Sequence, residues 1–278
     1  MSPVCIVSDS TALFPSPVFK GRSLTHLLPA TWQGGRAVSE RLKASDFPKS
    51  LNGNEAPALV VPTAADFEKL FRQLGVHYEA VLAILHAARF SRAASAAQEA
   101  AATLHGTVPV RVIDGNTISL GLGFIVQGAA EAAENGMPIH ELDLYTRSLV
   151  PQVYGMLCVP GLTYLQRSGY VNPSQALVGE YLQITQVYAL EEGQLVPSQK
   201  ARNTRHLVDV LFEFLSEFED LRHIALMQGA PPFEQETRAL RERLNEERRN
   251  IPISEQIINA PFASLIGPRS LGVFALAG

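Results

Sequence analysis

The sequence predicts an α/β fold: an N-terminal domain on a largely parallel open sheet flanked by helices, then a C-terminal α+β domain with a mixed sheet. Three observations carry this. Short apolar runs alternate with helical patterns over the first half, and one run, Ala80–Leu85 (AVLAIL), is apolar without interruption, as a parallel strand covered on both faces requires. Beyond Pro151 the alternation gives way to a hairpin pattern and closing strands. The length of 278 residues with 46% apolar content suits two modest domains better than one large one. The boundary is placed near residue 150, giving domains 1–150 and 151–278.

The elements follow in order. Val4 to Val7 is a β-branched run ending in Ser8, Asp9, Ser10 and Thr11. Leu24 to Trp32 is a weaker strand or pair, closed by Gly34-Gly35. Thr63 caps a helix starting at Ala64, with Phe67, Leu70, Phe71 and Leu74 as its apolar stripe and Gly75 at its end. After AVLAIL, Ser91 introduces an alanine-rich helix through Leu104, stopped at Gly106. Val110 to Ile113 is a strand ending in Asp114-Gly115-Asn116, and Ile118 to Asn135 is helical with Gly136 terminating it. In the second half, Gly155 to Val159 is a strand, Leu162 to Arg167 a short helix, and Ser168 to Pro173 a turn. Tyr181–Leu190 and Gln194–Gln199 form a hairpin around Glu191-Glu192-Gly193. A helix from Thr204 to Phe218 presents Leu207, Leu211, Phe214, Leu215 and Phe218 on one side. His223–Gln228 is a strand, Phe233–Arg249 a charged surface helix, and Ile253–Ile258 and Leu271–Leu276 closing strands.

Composition excludes several classes. A net charge of −4 with a pI near 6.0 argues against nucleic acid and anionic membrane surfaces, which demand a basic stripe. Cys5 and Cys158 lie far apart in apolar stretches, so they read as reduced core residues rather than a disulfide or zinc framework. Asp9 interrupts the apolar start too soon for a signal peptide, and no apolar stretch reaches the roughly 20 residues a bilayer needs. The expected location is the cytoplasm, with no transmembrane segment. Gly121-Leu122-Gly123 lacks a third glycine and reads as helix packing; no P-loop lysine, H-E-x-x-H or G-x-S-x-G pattern occurs. The seven histidines show no metal spacing. No catalytic residue, metal or cofactor is assigned.

The strand tips are informative as a set. Ser8, Asp9, Ser10 and Thr11 follow the first strand, Thr63 follows Leu59-Val60-Val61, Ser91 follows AVLAIL, and Asp114 follows Val110–Ile113. Carboxyl ends of parallel strands share one edge of an open sheet, so these residues should converge on one crevice. Singly, each is an ordinary cap or turn residue. Together they suit a ligand with a small anionic or hydroxylated head. His86, at the end of AVLAIL, is the best single candidate for a site histidine, against the plainer reading of a satisfied strand-end residue.

The order of motifs resembles the DegV family, bacterial fatty-acid-binding proteins that present acyl chains to a fatty acid kinase. IVSDSTALFP (from Ile6) is similar to the family's opening, PTAADFEKL (from Pro62) to its P-x-D-F segment, and ILHAARFSRAASAA (from Ile84) to its I-S-S-x-L-S-G-T segment. VRVIDGNTISLGLGFIVQGAAEAAENG, LTYLQRSGYVN, GQLVPSQKARNTRHLV and LIGPRSLGV resemble its later segments in order. The likeness spans essentially the whole chain. It implies two domains holding one fatty acid, the tail between them and the carboxylate near the strand tips, held by hydroxyls and a histidine.

Departures fall on those contacts. The family's threonine-serine pair becomes Leu59 and Val60, its paired serines Ala87 and Ala88, its late histidine falls at or beside Leu265, and the arginine of its G-G-R becomes Tyr170. Asp9, Ser10, Thr11, Ser91 and Arg202 are kept. Burying a sixteen-carbon tail is worth on the order of 10 kcal/mol at roughly 0.8 kcal/mol per methylene, before ordering costs. Each lost contact to a charged head removes about 1.5–3 kcal/mol. Lipid binding therefore survives these losses more readily than the in-line placement phosphoryl transfer needs. Arg92 and Arg269 stand where the family has glycines. Either is a solvated surface arginine or, with Ser10 or Ser91, a replacement grip on the carboxylate. Tyr170 offers a hydroxyl to an uncharged head.

The expected ligand-binding set is Asp9, Ser10, Thr11, Thr63, Ser91, Arg92, Tyr170, Arg202 and Arg269. The leading expectation is a non-catalytic carrier or sensor of a fatty acid or related acyl lipid. The alternatives are an enzyme using Asp9, Ser10 and His86, against which the lack of nucleophile–base–orienter spacing counts, or a degenerate relative acting through protein partners.

Overall fold

The computed structural model describes residues 4–29, 31–32, 43–48, 51, 59–182, 185–247 and 251–278. The chain forms two compact units: Met1–Val38, Val60–Val153 and Glu192–Gln194 make the first, and Ser39–Leu59, Tyr154–Glu191 and Leu195–Gly278 the second. Lys43 to Pro48, which precede residue 150, therefore group with the second unit.

In chain order the first half gives strands β1 (Cys5–Asp9), β2 (Thr25–Leu28), β3 (Thr31–Trp32) and β4 (Leu59–Val60), then helix α1 (Ala64–Leu74), β5 (Val81–Leu85), α2 (Ala93–Thr103), β6 (Val110–Asp114), α3 (Leu120–Glu134) and α4 (Ile139–Leu149). The first unit is built on a four-stranded sheet in the order β2-β1-β5-β6. All three pairings are parallel, with Ile6 opposite Thr25, Cys5 opposite Val81 and Val81 opposite Val110. Side chains alternate across this sheet, and both faces are covered. Cys5, Val7, Val81, Ala83 and Leu85 pack under Phe67 and Phe71 of α1 and the alanines of α2. Ile6, Leu82 and Ile84 pack under Leu122, Ile125 and Ala129 of α3 and Leu142 of α4. An apolar residue at every position of β5 follows directly.

The Leu59-Val60-Val61 run departs from the expected pattern. Only Leu59 and Val60 are extended, they pair with β3 in a separate two-stranded ribbon, and Val60 is 40% exposed. Pro62 follows at once and has no N–H to extend a ladder. Helix α4 is an addition the periodicity did not announce. In α3, a β-carbon on Gly123 would lie 2.1 Å from the Leu13 carbonyl oxygen, so Gly121-Leu122-Gly123 is indeed a packing feature.

The second half continues with β7 (Val153–Pro160), α5 (Thr163–Arg167), α6 (Pro173–Leu182), β8 (Thr185–Glu191), β9 (Gln194–Ala201), α7 (Thr204–Ser216), β10 (Leu221–Gln228), α8 (Glu234–Glu247), β11 (Ile253–Ile257), α9 (Ala260–Ile266) and β12 (Leu271–Ala277). Its six-stranded sheet runs β11-β10-β12-β7-β8-β9. It is mixed as expected, because β10 pairs in parallel with β11 and antiparallel with β12. Leu207, Leu211 and Leu215 of α7 and Leu240 and Leu244 of α8 seal one face against Ile224, Leu226, Val273 and Cys158. The β8–β9 turn places Glu192 at φ 47° and Gly193 at φ 75°, the two left-handed residues a tight hairpin requires.

Two expectations are corrected here. Tyr181 and Leu182 belong to α6 rather than a strand, and Ala260–Ile266 forms a helix where none was expected. Gly34-Gly35 and Arg249 lie outside the described residues. Both cysteines are unpaired and buried, and burial pushes the Cys5 thiol up to about 12 and that of Cys158 further. Among the described residues no helix is long and apolar enough to cross a membrane.

Candidate functional site

The carboxyl edge of the first unit's sheet gathers polar groups because β1 and β5 are parallel neighbours. Asp9 closes β1 and His86 follows β5, so residues 77 apart in sequence meet at one edge. Both are almost completely buried, at 3% and 2% exposure. One carboxylate oxygen of Asp9 (Oδ1) accepts from the Thr11 N–H at 2.9 Å and from the Thr11 hydroxyl. The other, Oδ2, accepts from the His86 backbone N–H at 2.9 Å and stands 2.8 Å from the ring nitrogen Nδ1. That ring contact is a buried ion pair. On the far side of the imidazole, Nε2 is 2.5 Å from the Ser91 hydroxyl oxygen, which also accepts from the Ala93 N–H at 3.2 Å as α2 begins.

The surrounding loops brace this line. Asp114, ending β6, accepts from the Ala88 N–H at 3.1 Å and the Asn116 N–H at 2.9 Å. The Ala87 N–H donates to the Thr117 carbonyl at 2.8 Å. Thr117 is buried and its hydroxyl has no hydrogen-bond partner. Ser119, also buried, enters α3 at φ 59° and ψ −126°, a costly conformation for a residue with a β-carbon.

The electrostatics of the pair agree with each other. Burial alone would pull the His86 pKa down, yet the Asp9 charge and contact, with Asp114 beyond, raise it overall. Burial would push Asp9 up, but the His86 charge and the bonds from His86 and Thr11 hold its carboxyl well below the usual range. The pair therefore favours carboxylate and imidazolium.

Asp9, Thr11 and Ser91 are thus brought together through His86, while Ser10 lies half-buried in the turn beside them. The residues of a nucleophile–base–orienter line, whose spacing the sequence lacks, are assembled through space. Thr63 is not part of this edge. It caps α1, with reciprocal bonds to Asp66 at 2.8 and 3.3 Å, and is exposed. Arg92 is exposed in the turn before α2.

Tyr170, Arg202 and Arg269 belong to the second unit. The two arginines are exposed, after β9 and before β12 respectively. Tyr170 lines a cavity of about 580 Å³ with Leu162, Val178 and Leu182 of α6, Tyr188 of β8 and Leu195 of β9; Lys200 also reaches it. Its walls are mainly apolar, and its size is that of small-molecule sites. Burial pushes the Tyr170 and Tyr188 hydroxyls up to about 12, so both stay neutral donors. Helix α6 supplies Ser174, Gln175, Val178, Gly179 and Leu182 to this wall, and its start is marked in the sequence by Asn172-Pro173-Ser174-Gln175. Among the described residues no group of three His, Cys, Asp or Glu side chains could hold a metal ion.

Comparison with known proteins places this architecture. The family model described as an uncharacterised protein of the DegV family matches residues 3–278. A DegV domain-containing protein of Streptomyces coelicolor is 28% identical over 218 residues, 77% of this chain and 76% of that protein. A solved structure described as fatty acid binding of a DegV family protein from Thermus thermophilus matches with a TM-score of 0.81 and 24% identity, covering 99% of this chain and 100% of that one. A second, the Streptococcus pneumoniae Fatty Acid Kinase B3 protein loaded with linoleic acid, matches with a TM-score of 0.84 at 17% identity, over 99% and 100%.

Proposed function

The chain belongs to the DegV family, and on that premise we propose that it holds a single fatty acid, as a carrier or sensor that performs no chemistry on it. The observation that carries this reading is the apolar cavity of about 580 Å³ in the second unit. A sixteen-carbon tail leaving water gains on the order of 10 kcal/mol before ordering costs, enough for tight retention without any optimised polar lock. The fatty acid binding named for one similar solved structure and the linoleic acid named for the other support the same ligand class.

The strand-tip residues Asp9, Ser10, Thr11, Ser91 and Arg92 supply polar chemistry, and Tyr170 a neutral hydroxyl in the cavity wall. Arg202 and Arg269 are kept as anion contacts and Thr63 as a helix cap. The likeness to a protein named for a fatty acid kinase supports such a kinase as the partner that receives the ligand. A cytoplasmic location fits a carrier with this net charge. The test is organic extraction of the purified protein followed by mass spectrometry, with titration of delipidated protein by oleate. About one fatty acid per chain is expected; neither a co-purifying acyl species nor oleate binding would end the reading.

A further inference from the structure

Along β8 the side chains alternate between two surroundings. Val187 joins the core that α7 seals, whereas Gln186 and Tyr188, two positions apart on the opposite face, both line the cavity of the second unit. Tyr188 is 3% exposed. Among the described residues its hydroxyl has no hydrogen-bond partner, and burial pushes it up to about 12, so it stays a donor at neutral pH. Half-buried Gln186 is committed on one side only. Its Nε2 donates to the Val187 carbonyl at 3.1 Å and to the Gln199 carbonyl at 2.8 Å, and no described group donates to its Oε1. One strand face therefore offers the cavity an unused donor and an unused acceptor. A phenol closed into a mainly apolar wall without a partner is uncommon, because it gives up water and gains nothing in return.

We propose that the cavity selects an acyl chain bearing a hydroxyl along its tail, with Tyr188 donating to that oxygen and Gln186 Oε1 accepting its proton. The inference rests on the fatty-acid reading and narrows its ligand class. A hydroxyl is neutral and both donates and accepts, so one group on the chain satisfies both residues. A plain methylene chain fills the same volume and leaves the phenol dry and unpaired. The ligand's own carboxylate is a poorer occupant of this spot. It would set a negative charge against Gln186 Oε1, and Lys200, the cation among the lining residues, is exposed. A buried charge needs a partner buried with it. A site that hydrogen-bonds a hydroxyl rejects the analogue lacking it far more strongly than an apolar pocket separates chains by one methylene. Apolar burial thus retains the chain, and Tyr188 chooses among chains.

The experiment titrates the delipidated full chain with stearate and with monohydroxystearates that differ only in the position of the hydroxyl. At least one isomer should bind about tenfold or more tighter than stearate. Tyr188→Phe, which keeps the ring, should bring that isomer down to the affinity of stearate and leave stearate itself no weaker. The thermal midpoint of ligand-free Tyr188→Phe should not fall, whereas loss of a hydroxyl that merely braced the fold would lower it. The oxostearate with its carbonyl at the same carbon keeps the Tyr188 contact and loses the one to Gln186, so it should fall between the isomer and stearate. An oxostearate as weak as stearate would deny Tyr188 its donor role. Equal affinity for stearate and every isomer overturns the proposal and leaves the fatty-acid reading standing. A Tyr188→Phe loss that is the same for stearate and the hydroxystearates does so too, because the phenol then serves their shared carboxylate. Binding of neither stearate nor any isomer removes the fatty-acid reading, and this inference with it.

Discussion

Replacing Asp9 by alanine should destabilise the first unit severely, and the size of the loss can be worked from its contacts. The carboxylate receives two backbone N–H groups (Thr11 and His86), one hydroxyl and one ring nitrogen, all buried. Each orphaned buried donor costs about 1–3 kcal/mol, and breaking a buried ion pair costs about 3–5 kcal/mol. These losses overlap, because water entering the vacated volume satisfies several donors at once. About 4 kcal/mol is therefore the expected net effect. At about 2–4 °C per kcal/mol for chains of this order, the midpoint of thermal unfolding should fall by roughly 8–16 °C. Asp9→Asn should fall in between: one amide oxygen still serves Thr11, but the amide nitrogen meets two donors of His86. Differential scanning calorimetry at neutral pH, with hydrogen exchange of the β5 amides to locate the loss, gives the result. A drop below about 3 °C for Asp9→Ala would refute the view that this carboxylate organises the edge.

Two further outcomes follow from the same structure. His86 has a raised pKa in the folded protein, so its stabilisation is complete below the unfolded value of about 6.5 and is lost as pH rises through the folded value; Asp9 has a lowered one, so its share is present above about 3.9 and lost as pH falls through the folded value. The urea midpoint should therefore decline on the alkaline side in wild type and stay flat there in His86→Asn; a wild-type midpoint that does not decline contradicts the charged pair. In the second unit, a β-carbon on Gly179 of α6 would lie 2.7 Å from the Leu162 methyl in the cavity wall. Gly179→Leu should thus shrink the cavity and weaken oleate binding by roughly tenfold or more with the far-ultraviolet spectrum unchanged, and unaltered affinity would exclude this cavity as the tail site.

Much of the fold was legible because it rests on local signals. An uninterrupted AVLAIL can only be a strand with both faces covered, and Thr63 with Asp66 three residues on is a capping box in sequence and in space. Three helices went unread, and two of them carry the same kind of announcement. Asn172 and Gln175 exchange hydrogen bonds at 2.8 and 3.0 Å with Pro173 at the first helical position, so α6 starts on an N-P-x-Q signature. Asn259 accepts from the Phe262 N–H at 3.0 Å and opens α9. Apolar residues decided the reading over these caps, and α6 keeps Leu177, Val178 and Tyr181 largely exposed, so its periodicity points to no core. A capping residue depends only on its neighbours three positions away, whereas an apolar stripe depends on what the rest of the chain puts opposite it.

The site obeys the opposite rule. Asp9, Ser91 and His86 could each be placed at a strand end from sequence, and parallel pairing of their strands predicts a shared edge. What no pattern shows is the rotation of the imidazole that sets one nitrogen on Asp9 and the other on Ser91. Nucleophile, base and orienter are recognised by geometry rather than by spacing, so their absence as a motif said nothing about their assembly. In a hydrolytic line the base must be neutral and its other N–H aligned on the carboxylate. Here two acidic groups bias the ring toward its cation, and Asp9 is already engaged by Thr11 and the His86 backbone. Each of these favours a buried ion pair over a base poised to activate a nucleophile.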